Sequence, residues 1–195
     1  EMITGIDLVK EQIKVARGEK LSFAQEDLKI NGHSIEVRVY AEDPANNFLP
    51  DIGKLLTYRR PQGPGIRVDD GFEEGMDIPI YYDPMIAKLT VHADNRQAAI
   101  DKMLRAIDEY AVSGIETTLP FCRFVLQHNS FVSGKFYTNF IKHYFEPSML
   151  ENSNKEESEI AAILASKLLA EKQEYHNNSN GLAVKASAWK RNRVE

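Results

Sequence analysis

The stretch from His33 to Pro44, HSIEVRVYAEDP, alternates so strictly that only an extended backbone satisfies it. His33, Ile35, Val37, Val39 and Ala41 fall on one face, and Ser34, Glu36, Arg38, Tyr40 and Glu42 on the other. Alternation from residue to residue is the period of a strand, so the segment is predicted to be half-buried, with its apolar face on a core. Its polar face carries a guanidinium that stays charged in water, with Glu36 before it and Tyr40 after it on the same side. Arg38 is therefore the first candidate for chemistry, and a solvated strand face with a charge ladder is the plain alternative.

The rest of the chain supplies a sheet for that strand and helices to cover it. Thr4-Gly5-Ile6-Asp7 has the form of a helix start capped by Thr4, and Ile6, Val9, Ile13 and Ala16 make one stripe closed by Gly18. A helix over residues 5–17 lying on a core is expected. Asn31-Gly32 is a strong hairpin signal and predicts a short strand over 28–30 that feeds the His33 strand. Residues 54–60 and 66–69 read as the two strands of a hairpin, joined by Pro61-Gln62-Gly63-Pro64-Gly65. Residues 78–83 and 85–92 are two further strand-like runs. Asp94 or Asn95 then caps the clearest helix, with Ile100, Met103, Leu104, Ile107, Tyr110 and Ala111 on one face and Gly114 beyond its end. Thr118 begins another through Leu126, with Pro120 in its first turn, and Thr138 a short one through Tyr144. The predicted class is α+β, an antiparallel β-sheet with flanking α-helices and a helical C-terminal extension.

Pro147 is expected to end the compact domain, leaving 1–147 as the domain and 148–195 as the extension. Within the extension, Ile160, Ile163, Leu164 and Leu168 describe an amphipathic helix over about 156–175, which must bury its stripe on something. A polar linker, His176 to Gly181, precedes a basic end in which Lys185, Lys190, Arg191 and Arg193 surround Trp189. That end is suited either to docking on a partner or to fraying. A chain of 195 residues with 43% hydrophobic content has room for one ordinary core and something smaller, in line with this division.

Charge and cysteine usage narrow the function further. A net charge of -5, with acidic and basic residues mixed along the chain, lacks the basic stripe of a nucleic-acid footprint and implies no membrane surface. Cys122 is the only cysteine, so a disulfide framework and a thiolate metal cluster are excluded and a cytoplasmic location is expected. No signal peptide or apolar run of spanning length is evident. The chain opens on Glu1, which suggests a piece of a longer protein.

Familiar catalytic motifs are missing from the sequence: there is no phosphate-cradling glycine loop, no HExxH, no CxxC pair and no nucleophile elbow. The histidines at 33, 92, 128, 143 and 176 share no ligand spacing and read as structural or exposed. Asp69-Asp70 is assigned to a turn, where neighbouring carboxylates point apart and make a poor acid/base pair. Tyr81-Tyr82-Asp83, with Lys88 close behind, either lines a cleft or belongs to the core with its hydroxyls satisfied.

Taken together, EMITGIDLVKEQIKVARGE, NGHSIEVRVYAEDP, NNFLPDIGKLLTYR, GPGIRVDDGFEEG, IYYDPMIAKL and RAIDEY followed by SGIETTLPF resemble the C-terminal domain of biotin carboxylase, in order from Glu1 to about Phe145. DIPIYYDPMIAKL is most similar to the biotin carboxylase subunits of acyl-CoA carboxylases, of the propionyl-CoA or acetyl-CoA type. The resemblance implies use of ATP and bicarbonate to form carboxyphosphate, then carboxylation of a biotin ureido nitrogen on a separate biotin carboxyl carrier domain. It places the family's active-site arginine on Arg38, where a fixed charge would stabilise the ureido oxygen. It assigns ATP and Mg (or Mn) mainly to an ATP-grasp region that matches upstream of Glu1, so the chain alone is expected to be inactive. The lysine between two methionines that receives biotin is absent. Phe140 falls near the adenine, and Arg67 and Glu109 in or near a homodimer interface, although Pro64 stands where the dimeric pattern has an aromatic. Asp83 matches an acidic position that pairs with the N-terminal domain and is expected to be exposed here. A carboxyltransferase subunit is the implied partner of the extension. Two other readings remain: a non-catalytic interaction or regulatory domain, and a different ATP-grasp ligase, against which the arginine strand followed by AEDP speaks.

Overall fold

The computed structural model describes residues 1–79, 81–151, 160 and 162–168. The chain enters through α1 (Leu8–Ala16) and a 3₁₀ turn, Gln25–Asp27, before β1 (His33–Tyr40). The short strands β2 (Glu42–Asp43) and β3 (Leu49–Pro50) follow, then β4 (Thr57–Arg59), β5 (Ile66–Asp70) and β6 (Met85–Ala93). After β6 come α2 (Arg96–Glu109), β7 (Ala111–Ser113), α3 (Leu119–Gln127), α4 (Asn129–Val132), α5 (Phe140–Tyr144) and α6 (Ser148–Glu151). Glu1 to Leu150 form one compact unit, and a second begins at Glu151. In the second, residues 162–168 are helical and Ile160, Ile163, Leu164 and Leu168 are exposed; the remainder of the expected 156–175 helix, the polar linker and the basic end lie outside the described residues.

The main sheet is antiparallel with the order β1-β6-β5, so β6 is its middle strand. Register sets Val37 opposite Leu89 and Leu89 opposite Val68, and likewise Ile35, Val91 and Ile66, giving apolar rows across all three strands. Ala99, Ile100, Met103, Ala106 and Ile107 of α2 are buried in the same core as these rows. Asn95 starts that helix by accepting a hydrogen bond from the Ala98 N–H at 3.0 Å, since a side-chain oxygen there satisfies an otherwise unpartnered amide. The opposite sheet face carries the polar members of the same alternation: Ser34, Glu36 and Arg38 from β1, Lys88, Thr90 and His92 from β6, Arg67 and Asp69 from β5.

Several sequence expectations are corrected by long-range pairing. Asn31-Gly32 closes no hairpin, because residues 28–30 form no strand and β1 pairs with β6 instead. Asn31 N–H bonds to Ile3 O at 2.8 Å, and Gly32 lies so close to the Ala93 carbonyl that a β-carbon would collide with it. The expected 54–60/66–69 hairpin also dissolves: β4 pairs with β7, which the sequence reading left out, and β5 pairs with β6. Asp69 and Asp70 are strand residues of β5 and not a turn. In the run read as a strand over 78–83, residues 78, 79 and 81–83 are irregular. The first helix is capped by Asp7, whose Oδ1 accepts from Lys10 N–H at 3.0 Å, three positions after Thr4. Its stripe is not core, since Val9, Ile13 and Ala16 are exposed, Ile6 is half-buried and Glu11 is the one buried residue of the helix. Ala111 is exposed and opens β7 in place of ending the face of α2. No described helix is long and apolar enough to cross a membrane.

Candidate functional site

Arg38 stands near the end of β1 on the polar sheet face, its side chain 57% exposed. Its Nε lies 3.6 Å from Glu36 Oε1, and the Tyr40 phenol is on its other side. Tyr40 first and then the Glu36 charge hold the guanidinium above its ordinary pKa, so it is a permanent cation. Lys88 sits directly across on β6 and Asp69 across from Lys88 on β5, which makes one row of two cations and an anion. The next row is Glu36, Thr90 and Arg67. Arg67 is committed: its Nε is 2.8 Å from Asp69 Oδ2 and its guanidinium 3.0 Å from Glu1 Oε2, each of which keeps it charged. Between these rows and the N-terminal segment lies a cleft of about 470 Å³, walled by Glu1, Leu8, Glu36, Asp69 and Lys88 among others. Its walls carry both charges, which suits a polar ligand better than an apolar one.

The backbone under Arg38 is fixed from a distant part of the chain. Thr118 was expected to cap α3, but its hydroxyl makes no capping bond there. It donates instead to the Arg38 carbonyl at 3.1 Å and accepts from the Tyr40 N–H at 3.0 Å. Sequence reasoning missed this residue, and the only signal it gave was a threonine one position before a helix.

The remaining candidates are scattered. Asp83 is exposed and its carboxylate accepts from Met85 N–H at 3.0 Å; its charge, after burial, adds to the upward shift of the Glu42 carboxyl. Tyr81 and Tyr82, read as core or cleft residues, are 93% and 82% exposed and are neither. Glu109 pairs with Arg105 at 3.0 Å on the surface of α2. Phe140 is only 7% exposed, and its ring packs against those of Phe124, His128 and Tyr144. His33 meets Arg96 at 3.2 Å, His92 Nε2 meets Asn31 O at 2.7 Å, and His128 Nδ1 accepts from Ser130 N–H at 3.2 Å, which are structural uses. A polar group that pattern reading did not find joins β4 and β5 to the residue that follows α2: the buried Tyr110 Oη lies 2.6 Å from Tyr58 Oη, which donates to Asp70 at 3.1 Å, and the exposed Arg60 closes on the same carboxylate. Desolvation raises both phenols, Tyr110 to about 12, so the group stays neutral apart from its Asp70–Arg60 pair.

The chain is 49% identical over 144 residues to biotin carboxylase 1 of Bacillus subtilis, covering 74% of this chain and 32% of that one. It is 41% identical over 194 residues to the human mitochondrial propionyl-CoA carboxylase alpha chain, covering 95% of this chain and 26% of that one. Among solved structures, the biotin carboxylase domain dimer of the Hydrogenobacter thermophilus 2-oxoglutarate carboxylase, in complex with MgADP, ADP and bicarbonate, superposes with a TM-score of 0.71 at 44% identity, over 74% of this chain and 32% of that one. The chain thus spans about a quarter to a third of the length of these relatives. Residues 36–143, more than half of the chain, match the family model described as biotin carboxylase C-terminal domain, and the chain belongs to that family.

Proposed function

We propose that the chain forms the C-terminal part of a biotin carboxylase active site, in which ATP and bicarbonate are used to carboxylate biotin held on a separate carrier domain. The observation that carries this reading is Arg38: a permanent cation more than half exposed on a well-anchored strand, whose nearest carboxylate contact is a long 3.6 Å pairing. Biotin on the carrier would supply a ureido nitrogen as nucleophile, and Arg38 would face the ureido oxygen, where negative charge would gather. A guanidinium already in place stabilises that charge with little reorganisation. Lys88 beside it raises the local positive potential, and Asp69 beyond limits it.

Magnesium or manganese and the phosphates of ATP are assigned to other parts of the protein. Among the described residues no group of three His, Cys, Asp or Glu is placed to hold a metal ion, so these residues do not fit a metal site and none of the chemistry given to them runs through one. Phe140, the residue that the resemblance sets near the adenine, would act there as a packed wall, since His128 and Tyr144 already cover its ring. The acyl-CoA type of carboxylase, propionyl-CoA or acetyl-CoA, is favoured by DIPIYYDPMIAKL. A carboxyltransferase subunit is then the partner of the extension, and a homodimer would use Arg67 and Glu109. A chain whose only cysteine is free suits the cytoplasm.

The test is Arg38→Gln in the full-length protein. Biotin carboxylation should fall on the order of a hundred-fold or more, with Arg38→Lys recovering only part because an ammonium lacks the planar fork. Bicarbonate-dependent ATP cleavage should fall less, and the melting temperature should hardly move, since an exposed strand-face substitution shifts stability by about 0.5 kcal/mol or less. Parent-like rates for both reactions would reduce the face to a solvated charge ladder.

A further inference from the structure

We propose that Thr118 is a positioning residue for Arg38, gripping β1 on both sides of it and fixing the direction in which the guanidinium leaves the strand. The inference rests on the reading of Arg38 given above and adds a second residue to it. β1 is an edge strand of the main sheet, so among the described residues one of its two edges has no strand beside it. Its pairing with β6 also slips between Val39 and Tyr40, where the register jumps from Val39 opposite Ala87 to Tyr40 opposite Met85. A bulge of this kind loosens the ladder and re-aims the side chains around it. Arg38 precedes the slip and Tyr40 follows it, so β6 alone leaves both least constrained where their direction matters.

Thr118 supplies the missing constraint with three hydrogen bonds. Its hydroxyl donates to the Arg38 carbonyl at 3.1 Å and accepts from the Tyr40 N–H at 3.0 Å. Its own N–H donates to the Tyr40 carbonyl at 3.1 Å. The residue is 5% exposed, so water does not compete well for these groups. The hydroxyl accepts from the Tyr40 N–H and from no amide in the first turn of α3, so that helix starts without a side-chain cap. That choice trades helix capping for strand position. Because the same clamp holds Tyr40, it also sets the phenol that flanks the guanidinium.

Preorganised charge works only in the right place, and a displacement of about 1 Å can cost on the order of a hundred-fold in rate. Thr118→Val keeps the shape and the N–H contact but removes both hydroxyl bonds; Thr118→Ser keeps them. In the full-length enzyme, Thr118→Val should lower kcat for biotin carboxylation about ten-fold or more, with KM for ATP within about two-fold of the parent and ATP cleavage less affected. Thr118→Ser should stay within about three-fold of the parent. In an Arg38→Gln background, Thr118→Val should cost nothing further, because a residue acting through Arg38 has nothing left to position. Should Thr118→Val not fold, Thr118→Ala is carried through the same cycle.

The outcomes separate the two ideas. If Arg38→Gln collapses carboxylation while Thr118→Val matches the parent, the Thr118 inference is overturned and the Arg38 reading stands. If the Thr118→Val loss multiplies in full on top of Arg38→Gln, the residue is merely structural and the inference is again overturned. If Arg38→Gln itself behaves as the parent, both fall together.

Discussion

Glu11 shows how one ionisation ties the start of the chain together. Its carboxylate accepts from Lys14 Nζ at 2.8 Å and from Ser22 N–H at 2.9 Å, fastening α1 to the segment after it, while Lys14 also reaches the Ser22 hydroxyl. The Lys14 bond first and the Ser22 amide second hold this carboxyl down from 4.5 to about 2, against the desolvation that would raise it. A depressed folded-state pKa stabilises the fold where the unfolded chain would be the one to take up a proton. That contribution is complete above pH 4.5 and disappears as the pH falls toward 2. Glu11→Gln should therefore lower the melting temperature near neutrality, and the gap from the parent should close as both are acidified through this window. A gap that stays constant down to the acid end would show the carboxylate to be a surface ornament. Arg38 differs in kind, since its charge does not titrate and its effect belongs to rate and not to the pH dependence of stability.

At the scale of elements, β6 is the piece the sheet cannot do without, because Leu89 is covered on both sides by Val37 and Val68 and from one face by the core. Leu89→Ala should cost about 2–5 kcal/mol in chemical denaturation, as buried leucines do, while Leu8→Ala on the half-exposed side of α1 should cost well under half of that. Equal losses would mean that α1 is buried in solution. The contrast marks what the sequence made legible. β1 and β6 could be read because each buries one face, and alternation records that directly; α2 could be read because Asn95 and a long apolar stripe agree. The stripe of α1 announced an amphipathic helix but nothing about what lies beneath it. Pairing was illegible for a related reason: Asn31-Gly32 and the Pro61 to Gly65 turn carry local hairpin signals, whereas the partners of β1, β4 and β5 were chosen by packing across the domain. Arg38 was found because it lies on a legible face. Thr118 was not, because its bonds to β1 span 78 and 80 residues and leave no local trace.

For the whole molecule, the decisive question is which parts of the reaction these residues can perform alone. ATP-dependent carboxylation needs a nucleotide held in place, its phosphate charge neutralised, and a base and an anion-stabilising group brought to the same point. Among the described residues Arg38, with Lys88 at its side, is the group proposed for the last of these, and no carboxylate or histidine cluster fits a metal ion. The aromatic groove beside α5, lined by Phe121, Phe131, Phe136 and Tyr137, offers few polar groups to hold a triphosphate. A single well-placed cation has little to act on if carboxyphosphate is never made, so the 195-residue chain by itself should show no bicarbonate-dependent ATP cleavage and no carboxylation of free biotin. Coupled phosphate-release assays with and without bicarbonate, at enzyme concentrations high enough to see one turnover per hour, would test this directly. Steady turnover abolished by Arg38→Gln would show that the chain carries a complete site, and the division of labour argued above would have to be withdrawn. Turnover unaffected by Arg38→Gln would point to a contaminating ATPase, which is why the variant belongs in the same experiment.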